Sequence, residues 1–283
     1  MVLDKKTSEK IKAFVKIKPR TIQEIALLLN KNWRTANSYV EKITKETGEI
    51  AYRVFRGGTP GAVKIVYWNN LDEVHSSKAQ ERLFKQIELS QNKEDFSPFD
   101  IYQYVDEKKK NSFLEDQTEE NINVKQDLVG TLRSAQEQVL FFSGNLTWVN
   151  IKQGKIKLID VLTELAESNI SLKFIANIDI TNIDNVKKLN QINNMIGRDI
   201  VEIRHCKQPL RAFIVDNKVI KMKEIKDPKD YKDSGLKKIT YIFYEIKELE
   251  WVEWMQKVFW NLFRIGIPAS KRIKELKTIK RIN

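Results

Sequence analysis

Short apolar runs alternate with amphipathic stretches from about Val124 onward, and this alternation constrains the fold more than any other feature of the chain. The apolar runs lie at residues 138–143, 171–176 and 200–203, and three further β-rich runs follow before residue 245. Strands that alternate with helices of about 10–15 residues are typical of an α/β layer fold with a mainly parallel sheet. We therefore predict such an α/β domain over residues 124–265.

The first 45 residues carry three amphipathic patterns separated by polar breaks. Residues 8–17 place apolar side chains at helical spacing, and Thr21 with Glu24 forms a capping box that opens a second helix. A polar turn at residues 30–32 precedes a third helix, predicted from about residue 33 to residue 45. The apolar positions that this third helix is expected to turn towards the core are Trp33, Ala36, Val40 and Ile43.

A hairpin is predicted directly after the third helix. Two β-rich runs, residues 50–56 and 62–68, flank the sequence Gly-Gly-Thr-Pro-Gly at residues 57–61. One helix, a helix–turn–helix pair and a two-stranded hairpin, in this order, are typical of a winged helix–turn–helix domain. We predict this domain over residues 1–70, so the chain is expected to be a two-part α/β protein.

Residues 71–123 are predicted to form a helical linker. One amphipathic helix is expected at residues 77–89 and a second around Ile101, Tyr102 and Val105, and the polar residues 116–123 mark a boundary. An apolar stripe this narrow fits either a dimerisation seam or a face that docks on a neighbouring domain, and both interpretations stay open.

The net charge of +12 lies mainly at the two ends of the chain. Residues 1–70 carry 14 Lys and Arg against 6 Asp and Glu, and residues 266–283 carry 6 basic residues against one Glu. Basic segments around a nearly neutral body favour a polyanionic partner, most often nucleic acid. Residues 266–283 are predicted to form a basic C-terminal helix.

The third helix and the hairpin supply the candidate DNA-binding residues. With the apolar face turned inwards, the first turns of the helix present Arg and Asn, which can read base edges in the major groove. Lysines suit phosphate contacts, which set affinity more than sequence choice. The alternative is a winged helix that contacts protein. The candidate residues are Lys31, Asn32, Arg34, Thr35, Asn37, Ser38, Lys42, Arg53, Arg56 and Lys64.

Several function classes are disfavoured by composition. No apolar run approaches the roughly 20 residues that a membrane span needs, and the charged N-terminus differs from a secretory signal. The single cysteine, Cys206, cannot form an internal disulfide, and the chain has only two histidines. No phosphate-binding or dinucleotide-binding glycine motif occurs. We therefore expect a cytoplasmic protein that binds double-stranded DNA, with no membrane association, no metal and no cofactor.

The N-terminal motifs resemble a known family. The sequences TIQEIALLLNKNWRTANSYVEKI, at residues 21–43, and RVFRGGTPGAVKIVYW, at residues 53–68, are similar to those of archaeal winged-helix transcriptional regulators. The resemblance covers about residues 7–70. It implies that the domain binds DNA.

A second resemblance lies in the C-terminal half. The sequence PLRAFIVDNK, at residues 209–218, is similar to the His-x-Lys-x4-Asp strand of the phospholipase-D-like superfamily. Counted back from Asp216, the family's Lys position holds Arg211 and its nucleophilic His position holds Pro209, while His205 lies four residues too early. Because proline cannot act as a nucleophile, the resemblance implies a non-catalytic domain over about residues 124–245. The alternative is an ordinary buried strand that ends in a polar turn.

A winged helix joined through a helical segment to such a domain resembles the TrmB-type regulators of archaea. This resemblance implies a C-terminal domain that binds a sugar-like effector, and we expect a homodimer. The function predicted from the sequence is a DNA-binding transcriptional regulator without enzymatic activity, whose C-terminal domain binds an effector or dimerises. The alternatives are a sequence-independent architectural, chromatin-like DNA-binding protein and a phosphodiesterase or nuclease.

Overall fold

The computed structural model of the protein describes residues 3–47, 49–56, 62–68, 76–115, 127–227 and 239–282. Within these ranges the chain is a mixed α/β protein with a small N-terminal unit and a larger body. Among the described helices, none combines the length and the apolar character that a bilayer-spanning segment needs.

Within the described residues, the N-terminal unit contains the three predicted helices and the predicted hairpin, and a two-residue strand between the first two helices, which the sequence did not predict, completes a three-stranded antiparallel sheet. The predicted capping box is present, since the Glu24 amide donates to Thr21 Oγ1 at 3.2 Å and the Thr21 amide donates to Glu24 Oε2 at 2.7 Å. The sheet order is β1-β3-β2. The elements are α1 (Lys5–Ile17), β1 (Arg20–Thr21), α2 (Ile22–Leu29), α3 (Trp33–Thr47), β2 (Ile50–Arg56) and β3 (Ala62–Trp68).

The core face of α3 is shifted from the prediction at one position. Ala36, Val40 and Ile43 are buried as expected, but Trp33 is 47% exposed, so its assignment to the core was wrong. Trp33 is the first residue of the helix, one turn before the positions of α3 that pack in the core of the N-terminal unit. Tyr39, at 7% exposure, completes the buried face instead.

Among the residues that the structure describes, the body is built on an eight-stranded sheet with the order β13-β9-β8-β5-β10-β11-β12-β4. Helices cover both of its faces, as the alternation of strands and helices predicts. The strands are β4 (Lys110–Glu115), β5 (Gln138–Ser143), β8 (Ser171–Ala176), β9 (Val201–His205), β10 (Ala212–Val215), β11 (Val219–Lys226), β12 (Thr240–Ile246) and β13 (Ile267–Pro268), and a separate small hairpin contains β6 (Lys152–Gln153) and β7 (Ile156–Lys157).

The prediction of a mainly parallel sheet was wrong. Only β8 forms parallel pairs, with β5 and β9, and the other described pairings of this sheet are antiparallel. The physical reason is the connection length. A turn at residues 216–218 links β10 to β11, and so short a link can join only antiparallel neighbours.

The residues of β5 alternate between the two faces of the sheet. Leu140 and Phe142 belong to the apolar cluster that includes α4 and α9, whereas Val139 and Phe141 face α6, α7, α8 and α10. Strand β5 is therefore covered on both sides. The helices are α4 (Ser76–Leu89), α5 (Phe99–Tyr102), α6 (Leu128–Arg133), α7 (Leu158–Glu167), α8 (Ile183–Ile196), α9 (Leu249–Ile265) and α10 (Ala269–Ile282).

The predicted helical linker holds only in its first half. Helix α4 lies where the sequence places it, but α5 has only four residues and is followed by a 3-10 turn and strand β4. Strand β4 pairs antiparallel with β12, with Phe113 opposite Phe243, so it is an edge of the main sheet. The predicted boundary at residues 116–123 lies outside the described ranges.

Aromatic side chains join the hairpin of the N-terminal unit to the body. The ring of Phe55 on β2 lies edge-on to those of Phe99 and Tyr244, with centroids 6.2 and 6.1 Å apart. Tyr67 on β3 contacts Phe99 at 4.9 Å, and Phe99 contacts Tyr102 at 5.9 Å. We call these five residues the junction cluster. They make the inner face of the hairpin continuous with the core of the body.

Truncation of Phe55 tests the junction cluster. Phe55 is 4% exposed, so Phe55→Ala removes the contacts of a buried ring and leaves a cavity. We expect the free energy of unfolding to fall by about 3 kcal/mol. The control is Val54→Thr, on the outward face of the same strand. This substitution should change the free energy of unfolding by less than about 0.5 kcal/mol. Chemical denaturation measures both. Equal stability of the two variants would contradict a docked hairpin.

Candidate nucleic-acid interface

A three-residue turn orients α3 relative to α2. Asn30 adopts a left-handed conformation, with φ of 50°, and its amide donates to the carbonyl of Leu27 at 3.1 Å, which ends α2. The Asn32 side chain then accepts a hydrogen bond from the Thr35 amide at 2.9 Å and caps the start of α3. Asn32, a candidate DNA contact, therefore also holds the helix in place.

The first two turns of α3 form the most open part of the candidate interface. Lys31, Arg34 and Ser38 are exposed, while Thr35 and Asn37 are half-buried. Neither Lys31 nor Arg34 has a carboxylate partner among the residues that the structure describes. Both cations lie at the amino end of α3, where the helix dipole already adds positive potential. This end of the helix is thus suited to meet an anion.

Trp33 is a surface residue that sequence reasoning missed. The guanidinium of Arg34 lies 5.8 Å from the centroid of its ring, at the outer limit of a cation–π contact. Its exposure at the start of α3 adds an aromatic face to the surface formed by Lys31 and Arg34. The signal in the sequence was its place directly after the capping residue Asn32, outside the first complete turn.

A carboxylate already occupies the middle of the predicted interface. Glu41 on α3 accepts a hydrogen bond from the Asn37 amide group at 2.9 Å and pairs with the Lys64 ammonium at 2.8 Å. The hydrogen bonds from Lys64 and Asn37 lower the pKa of Glu41, so it is ionised at neutral pH. Lys64 also lies 4.1 Å above the ring of Tyr52. Two candidate contacts are thus engaged with protein groups.

The remaining candidate cations differ in their surroundings. Arg53 forms an ion pair with Glu107 of the body at 3.3 Å and lies 5.2 Å from the ring centroid of Tyr102. It therefore contacts the junction, although part of its side chain stays exposed to solvent. Lys42 is exposed beside Glu46 at 3.7 Å, an ion pair of little strength at a protein surface. The side chain of Arg56 lies outside the described part of the chain.

The basic C-terminal helix packs on the body through one side. Leu276 and Ala269 are buried in the same cluster as α7 and α8, and Arg272 donates to the carbonyl of Ile178 at 3.3 Å. Lys274 and Lys277 remain exposed on the other side. The helix is therefore attached to the body and still presents cations to solvent.

The segment that resembles the phospholipase-D-like strand has structural contacts at its polar positions. Asp216, with φ of 45°, accepts hydrogen bonds from the amides of Gln136, Glu137 and Gln138 at 2.9–3.0 Å. Burial acts to raise the pKa of Asp216, but these amides and Lys218 outweigh it and lower the pKa. The carboxylate thus anchors the start of β5.

His205 is also held by the backbone. Burial and the nearby Arg272 lower its pKa, and the neutral ring accepts a hydrogen bond from the Ile178 amide at Nδ1, at 2.9 Å. Pro209 is buried at the position where the resemblance would require a nucleophile. Asp216 and His205 therefore serve the packing of the sheet.

Comparisons with known proteins find likenesses in fold alone. TrmBL2, an archaeal chromatin protein, is 13% identical over 93% of this chain and 94% of its own, with a TM-score of 0.40. Nuc from Salmonella typhimurium, a phospholipase D family member, is 13% identical over 56% of this chain and 98% of its own, and NucT from Helicobacter pylori is 11% identical over 56% and 99%, each with a TM-score of 0.40. No protein-family model and no curated protein matches the chain. Likenesses this remote identify no functional residue.

Replacement of Asp216 by Asn tests its structural role. Asparagine tolerates the left-handed conformation, so the change removes the charge that receives the three amides without adding backbone strain. We expect Asp216→Asn to lower the free energy of unfolding by about 2 kcal/mol at pH 7. The pKa of Asp216 is lowered in the folded protein, so its carboxylate stabilises the fold only while it is ionised. The difference in the free energy of unfolding between the wild type and Asp216→Asn should therefore shrink as the pH falls through this lowered pKa.

The control for this measurement is Asp199→Asn, which removes an exposed carboxylate that lies outside the helices. It should leave stability nearly unchanged. A wild-type advantage over Asp216→Asn that stayed constant down to pH 2 would contradict the assigned role of the carboxylate.

Proposed function

We propose that the protein binds double-stranded DNA through its N-terminal unit, and that this unit is a winged helix–turn–helix domain. The observation that carries the proposal is the start of α3, where Lys31 and Arg34 are exposed and lack carboxylate partners among the described residues. The capped turn and the buried side of α3 fix these side chains on a rigid element. A helix presented in this way suits the major groove.

In this proposal the candidate contacts divide into two groups. Arg34 and Ser38 are placed to meet base edges, and Lys31 and Lys42 to meet phosphates. Asn32 and Thr35 orient the helix by capping it. Asn37 and Lys64 can take part only when they exchange Glu41 for a phosphate. Arg53 is left out because Glu107 and Tyr102 hold it at the junction.

The role that we propose is transcriptional regulation without catalysis. It is supported by the contacts of the degraded motif, in which Asp216 and His205 bind backbone amides and Pro209 offers no nucleophile. The junction cluster also connects the hairpin of the N-terminal unit to the core of the body, and strand β2 of this hairpin contacts α3. The homodimer and the small-molecule effector stay predictions, and so does the cytoplasmic location.

Arg34 carries the expected sequence preference. Arg34→Ala should remove about 1–3 kcal/mol of discrimination between bases while a basal, salt-sensitive affinity remains. The matched control is Arg198→Ala, an exposed arginine on the body, which should retain the preference. Competition against a randomised duplex pool at two salt concentrations measures both. Wild-type binding with no preference would favour the architectural alternative, and unchanged binding by Arg34→Ala would exclude helix α3 from the groove.

Glu41 limits binding if Lys64 and Asn37 lie in the interface. Glu41→Gln removes the negative charge and releases Lys64, so we expect tighter binding and a dependence of log affinity on log salt that is steeper by about 0.9. The control Glu88→Gln makes the same charge change at an exposed position of α4 and should leave the slope unchanged. Equal slopes for both variants would place Lys64 outside the interface.

A further inference from the structure

A cavity of about 220 Å³ opens at the carboxyl end of β5. The chain leaves β5 at Ser143, turns at Gly144, and forms one rim of the cavity, while the first residues of β10 and part of β11 form the other. In α/β folds the carboxyl ends of parallel strands are the usual place for ligands. Strand β5 pairs in parallel with β8, so this cavity has that position.

Arg211 is the polar group that stands out in the cavity. Its guanidinium lies against Gly144, where an added Cβ would come within 2.7 Å of Nη1 and Nη2. It forms no hydrogen bond or ion pair with the side chains and backbone that the structure describes. Burial lowers its pKa, with Glu94 as the opposing charge. Arg211 is half-buried, so it loses part of its hydration without gaining an anionic partner among the described residues, and a bound anion would offset that cost.

The remaining wall of the cavity is largely aromatic. The rings of Phe141 and Trp148 stack at 4.9 Å, and Phe213 lies 6.0 Å from Phe141. The indole of Trp148 donates to Ser143 Oγ at 3.0 Å, which fixes its orientation. The apolar surface is therefore already formed without a ligand, as is usual for small-molecule sites.

A second basic residue lies on the same side as Arg211. Lys223 lines the cavity, and its amide donates to the carbonyl of Arg211 at 2.8 Å. Its ammonium lies 4.0 Å above the ring of Tyr241. The cavity thus joins one basic side to one apolar side.

We propose that this cavity binds a small organic anion, with a carboxylate or phosphate held by Arg211 and an apolar body packed against Phe141 and Trp148. The planar guanidinium can offer two parallel N–H donors to either anion. The proposal concerns the body of the protein and does not depend on DNA binding.

The site adjoins the N-terminal unit. Arg211 and Lys223 also line a second cavity of about 200 Å³, and its other residues include Lys18, Pro19 and Glu24. These three residues belong to the segment that ends α1 and opens α2. An anion on Arg211 therefore changes the charge that faces the DNA-binding unit.

Calorimetric titration of the full chain with four probes tests the proposal. Phenylacetate and phenyl phosphate carry both features of the ligand, inorganic phosphate lacks the apolar body, and benzyl alcohol lacks the charge. We expect one equivalent of phenylacetate or phenyl phosphate to bind at least tenfold more tightly than inorganic phosphate and benzyl alcohol. The tighter of the two aromatic anions identifies the head group as carboxylate or phosphate.

Three variants locate the site by different means. Arg211→Gln removes the charge, and Gly144→Ala keeps every charge but displaces the guanidinium, so each should weaken the aromatic anion at least tenfold. Binding of the aromatic anion should also change the tryptophan fluorescence of the wild type, and Trp148→Phe should keep the binding heat and lose that change. The control Arg198→Gln, at an exposed arginine, should bind as the wild type does. Thermal unfolding checks that each variant is folded.

Several results would overturn the proposal. Absence of binding by both aromatic anions at millimolar concentration would do so, as would equal affinity for benzyl alcohol or for inorganic phosphate. Wild-type affinity in folded Arg211→Gln or Gly144→Ala would place the ligand elsewhere. No arm of the experiment contains DNA, so its outcome is separate from that of the proposed function.

Discussion

The junction cluster is the packing on which the arrangement of the molecule depends. A three-helix unit with a short hairpin has a small core of its own, and the hairpin extends that core by placing Phe55 and Tyr67 against Phe99 and Tyr244 of the body. Aromatic rings bury large apolar areas and favour edge-on contacts such as these. The ion pair between Arg53 and Glu107 lies beside this cluster and is a second contact between the hairpin and the body. The exposed start of α3 is consequently held on a unit that is fixed to the body.

Local features of the sequence predicted the local features of the structure. The capping box at Thr21 and Glu24 and the apolar spacing of Ala36, Val40 and Ile43 are patterns of residues within one or two helical turns, so the sequence alone shows them. The same holds for the exposure of Arg34 and Ser38, which follows once the buried side of α3 is known.

Features that depend on distant partners were predicted less well. Strand β4 carries no clear alternation, and its conformation is set by pairing with β12, about 130 residues away, a contact that local pattern cannot reveal. The prediction of a mainly parallel sheet was wrong for a related reason, because apolar runs look alike in parallel and antiparallel sheets. The contacts of Arg53 with Glu107 and Tyr102 could not be predicted, because neither residue is near it in sequence.

The antiparallel pairing of β10 with β5 also forms the cavity. Its register places Ala212 opposite Phe142, and Arg211 therefore comes to lie across from Ser143 at the end of β5. A parallel strand at this position would have brought its carboxyl end, and not its first residues, to the same edge of the sheet. The reversal thus brings a basic side chain against Gly144, whose missing Cβ leaves room for the guanidinium. The residue that resembles a catalytic lysine in sequence becomes, through this geometry, a half-buried cation facing an apolar wall.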